Sequence, residues 1–266
     1  MHHDESALYD RLRQMPPATN RPWLWVFDFD GTLVNIASHP NQVIVPQPLL
    51  EDLQQLTQLP GHTVAVISGR TVADLQAYFG SIPRLWLSGD HGAEVIGPHW
   101  HWVHDSAAAS TQHFTHLAKT LSHELSGLPG VYVESKRYSL AIHYRLANDG
   151  TTEILKRTLA TMSVPPGLAF KHGHQCVEIR PVPGPTKADA MAIVRNQVQS
   201  RAGGPMALVF GDDQTDEDMF KVAKREDITV RVASDKAVTG AEFQVDSPYR
   251  VTALIRWALT TATKGS

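Results

Sequence analysis

The 266-residue chain has one cysteine, Cys176. A single thiol cannot build an internal disulfide framework or a cysteine-based zinc site, and it fits a reducing compartment. Positive charge is not in excess either: 24 Lys and Arg stand against 27 Asp and Glu, a formal net charge of −3. A protein that held nucleic acid mainly through electrostatics would need a basic surplus, so no nucleic-acid partner is expected. No stretch approaches the ~20 apolar residues of a membrane span, and Trp23 to Phe27 is already among the more apolar runs. The opening MHHDESALYD has neither the basic nor the apolar segment of a secretory leader, and its two His are too few for a tag. The expectation is a monomeric cytoplasmic protein without a membrane partner. Internal repeats and low-complexity tracts are missing as well. With 42% apolar and 19% charged residues, the composition is that of an ordinary globular protein and excludes general disorder.

What is present is a recurring unit. A short lead-in ends in the Pro-rich MPPATNRP, and WLWVFDFDGT then runs apolar before stopping abruptly in acids and glycine. HTVAVISGR (62–70), PRLWLSGDHG (83–92), MALVFGDD (206–213) and ITVRVAS (228–234) have the same character. Continuous apolar runs, unlike alternating ones, suit strands buried on both faces of a parallel sheet. Helical patterns lie between several of them, at 48–59, 71–79 and 186–199. Strand and helix in alternation predict an α/β fold with a Rossmann-like, doubly wound parallel sheet. The pattern breaks in the middle, where two helical stretches and four β-like runs follow the order α-β-β-α-β-β. This predicts an inserted α+β domain at 106–183, within a core formed by 1–105 and 184–266. Pro181, Pro183, Gly184 and Pro185 would form the return hinge. Residues 106–182 carry eight Lys and Arg against five Asp and Glu, so +3, leaving −6 elsewhere. A basic insert on an acidic base hints at an anionic substrate over a cation site.

In open α/β sheets, function collects at the carboxyl ends of the strands. The first strand delivers Asp28 and Asp30 with one residue between them, and the 206–210 strand ends in GDDQTDED, with Asp212, Asp213, Asp216, Glu217 and Asp218. Carboxylates so crowded raise one another's pKa unless a cation neutralises them, and oxygen donors from two strand ends suit a hard cation such as Mg²⁺. Each run has an ordinary alternative: a turn or cap for DxD, a solvated helix N-terminus for the acidic run. Their conjunction at two strand ends, with Ser68 and Lys187 in reach, points to a site. Ser68 ends an apolar strand before Gly69 and Arg70; it can cradle phosphate at a helix N-terminus or simply cap helix 71–79. Lys187 can neutralise a phosphate and a nucleophile, or be a surface lysine. HWHWVH (99–104) reads as an aromatic hairpin rather than a metal site. His113, His116 and His123 lack a fourth ligand, and Cys176, flanked by apolar strand residues, reads as a core filler.

These residues resemble a family. DFDGT (28–32), Ser68 in ISGR, Lys187 and GDDQTDE (211–217) are similar, in order, to the four motifs of haloacid-dehalogenase-type phosphatases. ISGR, GDHGAE (89–94), Glu134 with Lys136, VEIRP (177–181) and GDDQTDE narrow the resemblance to its trehalose-6-phosphate phosphatases, from Trp23 to Trp257. One departure is Ala188, where that family often has glycine. The resemblance implies a Mg²⁺-dependent phosphatase acting on a small-molecule sugar phosphate through an aspartyl-phosphate. It implies Asp28 as nucleophile and Asp30 as general acid and base. Metal would be held by Asp28, the Asp30 carbonyl and Asp212, with Asp213 or Asp216 as further ligands, while Ser68 and Lys187 hold phosphoryl oxygens. Thr32, Arg70, His91 and Gly92 would assist substrate binding. The insert would be a cap whose Glu134, Lys136 and Glu178 read the sugar; without the resemblance, those three would read as a solvated strand face.

Another sugar phosphate, such as sucrose 6-phosphate or a glycosyl-phosphoglycerate, would use the same chemistry. A catalytically silent regulatory domain would normally lack one of Asp28, Asp30 or Asp212, all present here. A phosphotransferase or mutase would need a second acceptor, which the sequence neither shows nor excludes.

Overall fold

A segment such as WLWVF, apolar at every position, is stable as a strand only where both faces are covered. The computed structural model describes residues 5–37, 39–173, 175–198 and 204–264. In it, helix α1 (Glu5–Arg13) precedes this strand, β1 (Trp23–Phe27), followed by α2 (Gln47–Gln58), β2 (His62–Ile67), α3 (Val72–Phe79) and β3 (Trp86–Gly89). A hairpin of β4 (Glu94–Gly97) and β5 (Trp100–Val103) ends the first half. Next come α4 (Asp105–Glu124), β6 (Tyr132–Ser135), β7 (Leu140–His143), α5 (Asp149–Thr161), β8 (Leu168–Gly173) and β9 (Cys176–Pro181). The alternation resumes with α6 (Lys187–Gln197), β10 (Met206–Gly211), α7 (Glu217–Lys221), β11 (Ile228–Val232), β12 (Phe243–Val245) and α8 (Pro248–Lys264). Position 199 of the expected 186–199 helix, and the first four residues of the lead-in, lie outside the described residues.

The described residues divide into two compact units, one reaching Trp102 and resuming at Thr186, the other spanning Val103–Pro185. The first holds an eight-stranded sheet of order β12-β11-β10-β1-β2-β3-β4-β5, parallel from β12 to β3. β4 pairs antiparallel with β3, which makes the aromatic hairpin a sheet edge, with Trp100 against Trp86. Trp25, Phe27, Val66, Leu208 and Phe210 point to one face, beneath α2 and α8, while Leu24, Val26, Ala65, Ile67 and Val209 point to the other, beneath α6 and α7. Each large side chain so buried contributes roughly 1.5–3 kcal/mol. From β1 the chain winds outward through β2 and β3, and after the insertion it winds the other way through β10, β11 and β12. The reversal lies between β1 and β10, where open α/β sheets leave a crevice at their carboxyl ends.

The second unit is an antiparallel sheet of order β6-β7-β9-β8. Its alternation is strict. Val133, Leu140, Ile142, Val177 and Ile179 turn to one side and pack with Phe114 and Leu121 of α4 and with Leu155 and Leu159 of α5. The residues between them form a polar face. The expectation that Cys176 fills a core fails for this reason. Its neighbour Val177 faces inward, so Cys176 faces outward, half-buried and paired across the strands with His143. No described helix is long and apolar enough to cross a membrane.

Candidate active site

β1 and β10 run in register to their ends, Phe27 opposite Phe210, so the residues that follow them emerge side by side. Two glycines let the loops close in. Gly31 has a φ of +93°, and a Cβ there would sit 2.2 Å from Asp212 Oδ2. A Cβ on Gly211 would lie 2.3 Å from the Asp216 side chain. Only glycine fits such approaches, and at Gly31 only glycine takes the backbone geometry readily.

Asp28, Asp212 and Asp216 each bring a carboxylate oxygen into one group within 4.8 Å of one another. Lys187, the first residue of α6, lies beneath them with 3% of its surface exposed. Its Nζ donates to Asp28 Oδ1 at 2.6 Å and to Asp216 Oδ1 at 2.7 Å. Asp216 Oδ2 accepts the amides of Asp212 and Asp213, at 2.9 and 3.1 Å. Thr32, also buried, donates its hydroxyl to Asp212 Oδ1 at 3.2 Å. Asp213, in contrast, is outside the group; its Oδ1 closes the turn by accepting the amide and hydroxyl of Thr215.

The group is short of positive charge. Burial pushes the Asp28 carboxyl well above its ordinary value, and Asp212 adds to the rise while Lys187 opposes it. Asp212 is pushed up to about 7, first by burial and then by repulsion from Asp216 and Asp213. Burial works against the charge on Lys187, but Asp216 and Asp28 outweigh it and hold its pKa well above the lysine range. One buried ammonium among crowded carboxylates leaves a deficit that a divalent cation would fill, and a donor set made only of oxygens fits a hard one. On that chemistry the residues fit a metal.

Asp30 does not join the triad. Its two carboxylate oxygens are taken by Arg70, at 2.6 and 2.8 Å. Ser68 is buried and does not cap the next helix. Thr71 does, in a reciprocal capping box with Asp74, while Ser68 Oγ accepts the Arg70 amide at 3.2 Å. The capping role is thereby given to Thr71. His91 and Gly92 lie in a turn in which residues 90–92 all have positive φ. The His91 amide donates to the Ser68 carbonyl at 2.9 Å, and its ring packs so closely on Gly69 that a Cβ there would meet Nε2 at 2.6 Å. Gly92 presses on the Thr186 carbonyl, 2.1 Å from where its own Cβ would be.

On the polar face of the second unit, Glu134 and Glu178 flank Ala141 in one cross-strand row. Lys136 Nζ is 3.6 Å from Glu178 Oε1, and Arg180 Nε is 3.3 Å from Glu178 Oε2. Glu134 Oε2 meets His143 Nε2 at 2.7 Å, and the His143 ring stacks on Tyr132 at 4.5 Å. Glu134, Lys136 and Glu178 thus share one face. Sequence reasoning missed His143 and Arg180 as their partners, because only the strand register shows which residues become neighbours. Phe29 and Tyr78, which carry the Arg70 guanidinium at 5.1 and 5.7 Å, were missed for the same kind of reason.

Residues 26–252 match the family model described as trehalose-phosphatase. The trehalose-phosphate phosphatase of Mycobacterium tuberculosis is 34% identical over 232 residues, covering 85% of this chain and 58% of the relative. That of Mycobacterium leprae is 34% identical over 259 residues, covering 92% and 58%. The chain therefore spans less than three-fifths of the length of these curated relatives. Among solved structures, Aspergillus fumigatus trehalose-6-phosphate phosphatase superposes with a TM-score of 0.64 at 26% identity, covering 98% of each chain. A trehalose-6-phosphate phosphatase related protein gives 0.79 at 20% identity, covering 91% of this chain and all of that one, a likeness of fold.

Proposed function

The chain belongs to the trehalose-phosphatase family, and from that membership we propose that it is a cytoplasmic, monomeric phosphatase that hydrolyses trehalose 6-phosphate to trehalose and inorganic phosphate. The observation that carries the chemistry is the buried contact of Asp28 with Lys187 at 2.6 Å, inside the group formed with Asp212 and Asp216.

Asp28 attacks phosphorus in line, forming a bond from its carboxylate oxygen as the bond from phosphorus to the sugar oxygen breaks. Asp30 gives a proton to that departing oxygen. It then takes one from the water that attacks the aspartyl-phosphate, and the bond between phosphorus and the Asp28 oxygen breaks, freeing Asp28 and phosphate. Lys187 is placed to balance charge on Asp28 and on a phosphoryl oxygen, and Ser68 offers its hydroxyl to another. Mg²⁺ would be held by Asp28, Asp212 and the Asp30 carbonyl, with Asp216 in support. Bound there, it supplies neutralisation of the negative charge gathered on the phosphoryl oxygens. Thr32 acts indirectly, by orienting Asp212, and His91 and Gly92 shape the turn behind Ser68.

Sugar recognition we assign to Glu134, Lys136 and Glu178 of the inserted unit, in the role of a cap. Two carboxylates and an ammonium held on one sheet face offer both acceptors and a donor for sugar hydroxyls. Their partners His143 and Arg180 fix the carboxylates' directions.

The test is phosphate release from trehalose 6-phosphate, sucrose 6-phosphate, glucosyl-3-phosphoglycerate, glucose 6-phosphate and p-nitrophenyl phosphate, each with Mg²⁺ and with EDTA. Strong Mg²⁺-dependent preference for trehalose 6-phosphate is the expected result. Preference for another sugar phosphate would keep the chemistry and move the error to the inserted unit. No release from any of them would favour a silent regulatory domain.

A further inference from the structure

Arg70 is held more firmly than a substrate-binding arginine needs to be. Its Nε lies 2.6 Å from Asp30 Oδ2 and one terminal nitrogen lies 2.8 Å from Oδ1, so one planar edge meets both carboxylate oxygens. Such a two-pronged pair fixes direction as well as distance, because rotating the carboxylate breaks at least one of the two bonds. The guanidinium is itself fixed. It lies over the rings of Phe29 and Tyr78 at 5.1 and 5.7 Å, and the Tyr78 hydroxyl reaches the Val43 carbonyl at 3.4 Å. The backbone is fixed too: the Arg70 amide donates to Ser68 Oγ, and its carbonyl accepts the Asp90 amide at 2.7 Å. The side chain retains 12% exposure.

Asp30 stands beyond β1 and Arg70 beyond β2, so the pair spans two neighbouring parallel strands. A solvated surface pair would have neither the aromatic bed nor the backbone anchors.

We propose that Arg70 is a positioning residue that acts on the reaction through Asp30, holding its carboxylate in one direction, rather than as a ligand of the substrate. This rests on the reading of Asp30 as the group that serves the departing oxygen and then the attacking water. Both oxygens pass through the same in-line position on phosphorus, at successive steps. A carboxylate that serves both must stay within hydrogen-bond reach of that one place throughout the cycle. The role concerns where the carboxylate points. It departs from the sequence expectation, which gave Arg70 to the substrate.

The experiment uses the full chain with Mg²⁺ and compares Arg70→Gln, Arg70→Lys, Asp30→Asn and the Arg70→Gln/Asp30→Asn pair. Two substrates separate the roles. Trehalose 6-phosphate has a poor leaving group that needs a proton, whereas p-nitrophenyl phosphate releases a stable phenolate that does not. A positioned acid is worth roughly 10²–10⁴-fold, so Arg70→Gln should lower kcat/KM on the sugar phosphate at least about tenfold. On the aryl phosphate kcat/KM should stay within about twofold, and a burst of nitrophenolate should appear, because hydrolysis of the phosphoenzyme is slowed after its formation. In the Asp30→Asn background, Arg70→Gln should cost about twofold or less, since its route of action is already gone. Arg70→Lys keeps the charge without the fork and should recover only part of the loss; it also serves if the Gln variant does not fold.

Equal losses of kcat/KM on both substrates, or losses that multiply in the double variant, would overturn the proposal and return Arg70 to the substrate. If Asp30→Asn itself left sugar-phosphate turnover intact, the reading of Asp30 would fall and this role with it. That failure is distinct, because it is visible before Arg70 is changed.

Discussion

Replacing Asp212 with Asn should stabilise the metal-free protein while destroying its proposed activity. The Asp212 carboxyl is raised from 3.8 to about 7, by burial and by repulsion from Asp216 and Asp213. The folded state therefore holds this proton more tightly than the unfolded chain does. Stability from this group is fully present below pH 3.8 and is lost as pH rises to about 7. A difference of about three pH units at 1.36 kcal/mol each gives a ceiling of roughly 4 kcal/mol. Asp212 is only partly buried, and solvent screening reduces the expected cost to about 2 kcal/mol. Asn removes the charge and keeps an oxygen for the Thr32 hydroxyl. In EDTA at pH 8 the variant should thus be more stable than wild type by about 2 kcal/mol, with the gap closing by pH 4. Urea unfolding followed by tryptophan fluorescence is well placed to measure this. All six tryptophans, at 23, 25, 86, 100, 102 and 257, lie in the unit that carries the site. Mg²⁺ at 100 times its dissociation constant should add about 2.7 kcal/mol to wild type and less to the variant, reversing their order. A variant less stable than wild type in EDTA at pH 8, or a difference that does not change with pH, would refute the reasoning.

Other changes have different signs. Lys187→Met removes the ammonium that bridges Asp28 and Asp216 at 2.6 and 2.7 Å and leaves two buried carboxylates uncompensated. It should cost about 3–5 kcal/mol at pH 7, and the loss should shrink on acidification in the same urea experiment. Gly31→Ala places a Cβ 2.2 Å from Asp212 Oδ2 at a backbone φ of +93°. It should weaken Mg²⁺ binding, measured by titration calorimetry, and lower stability by about 1–3 kcal/mol. Glu178→Ala should weaken trehalose 6-phosphate turnover far more than that of p-nitrophenyl phosphate; equal losses would argue against a sugar-reading role.

Much of the core was legible because its signals are local. Runs such as WLWVF and MALVF announce strands covered on both faces, and the acids that end them sit at the carboxyl edge in any parallel sheet. Thr71 as cap was legible too, since Thr-x-x-Asp at 71–74 has the spacing of a reciprocal cap. Cys176 was misread from the apolar residues near it, when alternation along β9 sends it away from Val177. The pairs Arg70 with Asp30 and His143 with Glu134 were beyond reach. Each depends on which strands lie side by side and in what register, and that is decided by packing across the sheet.

The place of β1 between β2 and β10 also bears on how the chain is made. β1 ends at Phe27 and its partner β10 begins at Met206, about 180 residues later. At roughly 5–20 residues per second, a ribosome needs on the order of 10–40 s to cover that interval. Once β2 is made, β1 can zip to it but has no neighbour along its other edge, and that edge belongs to a strand apolar at every position. The nascent polypeptide thus carries a sticky, half-satisfied ribbon while the whole inserted unit is being translated. Lys187 arrives only near the end of the same interval, and Asp212 and Asp216 after it, so the acidic centre is assembled after its surroundings. Slowed translation across 103–205 should therefore increase aggregation and the demand for chaperones, without altering the finished fold.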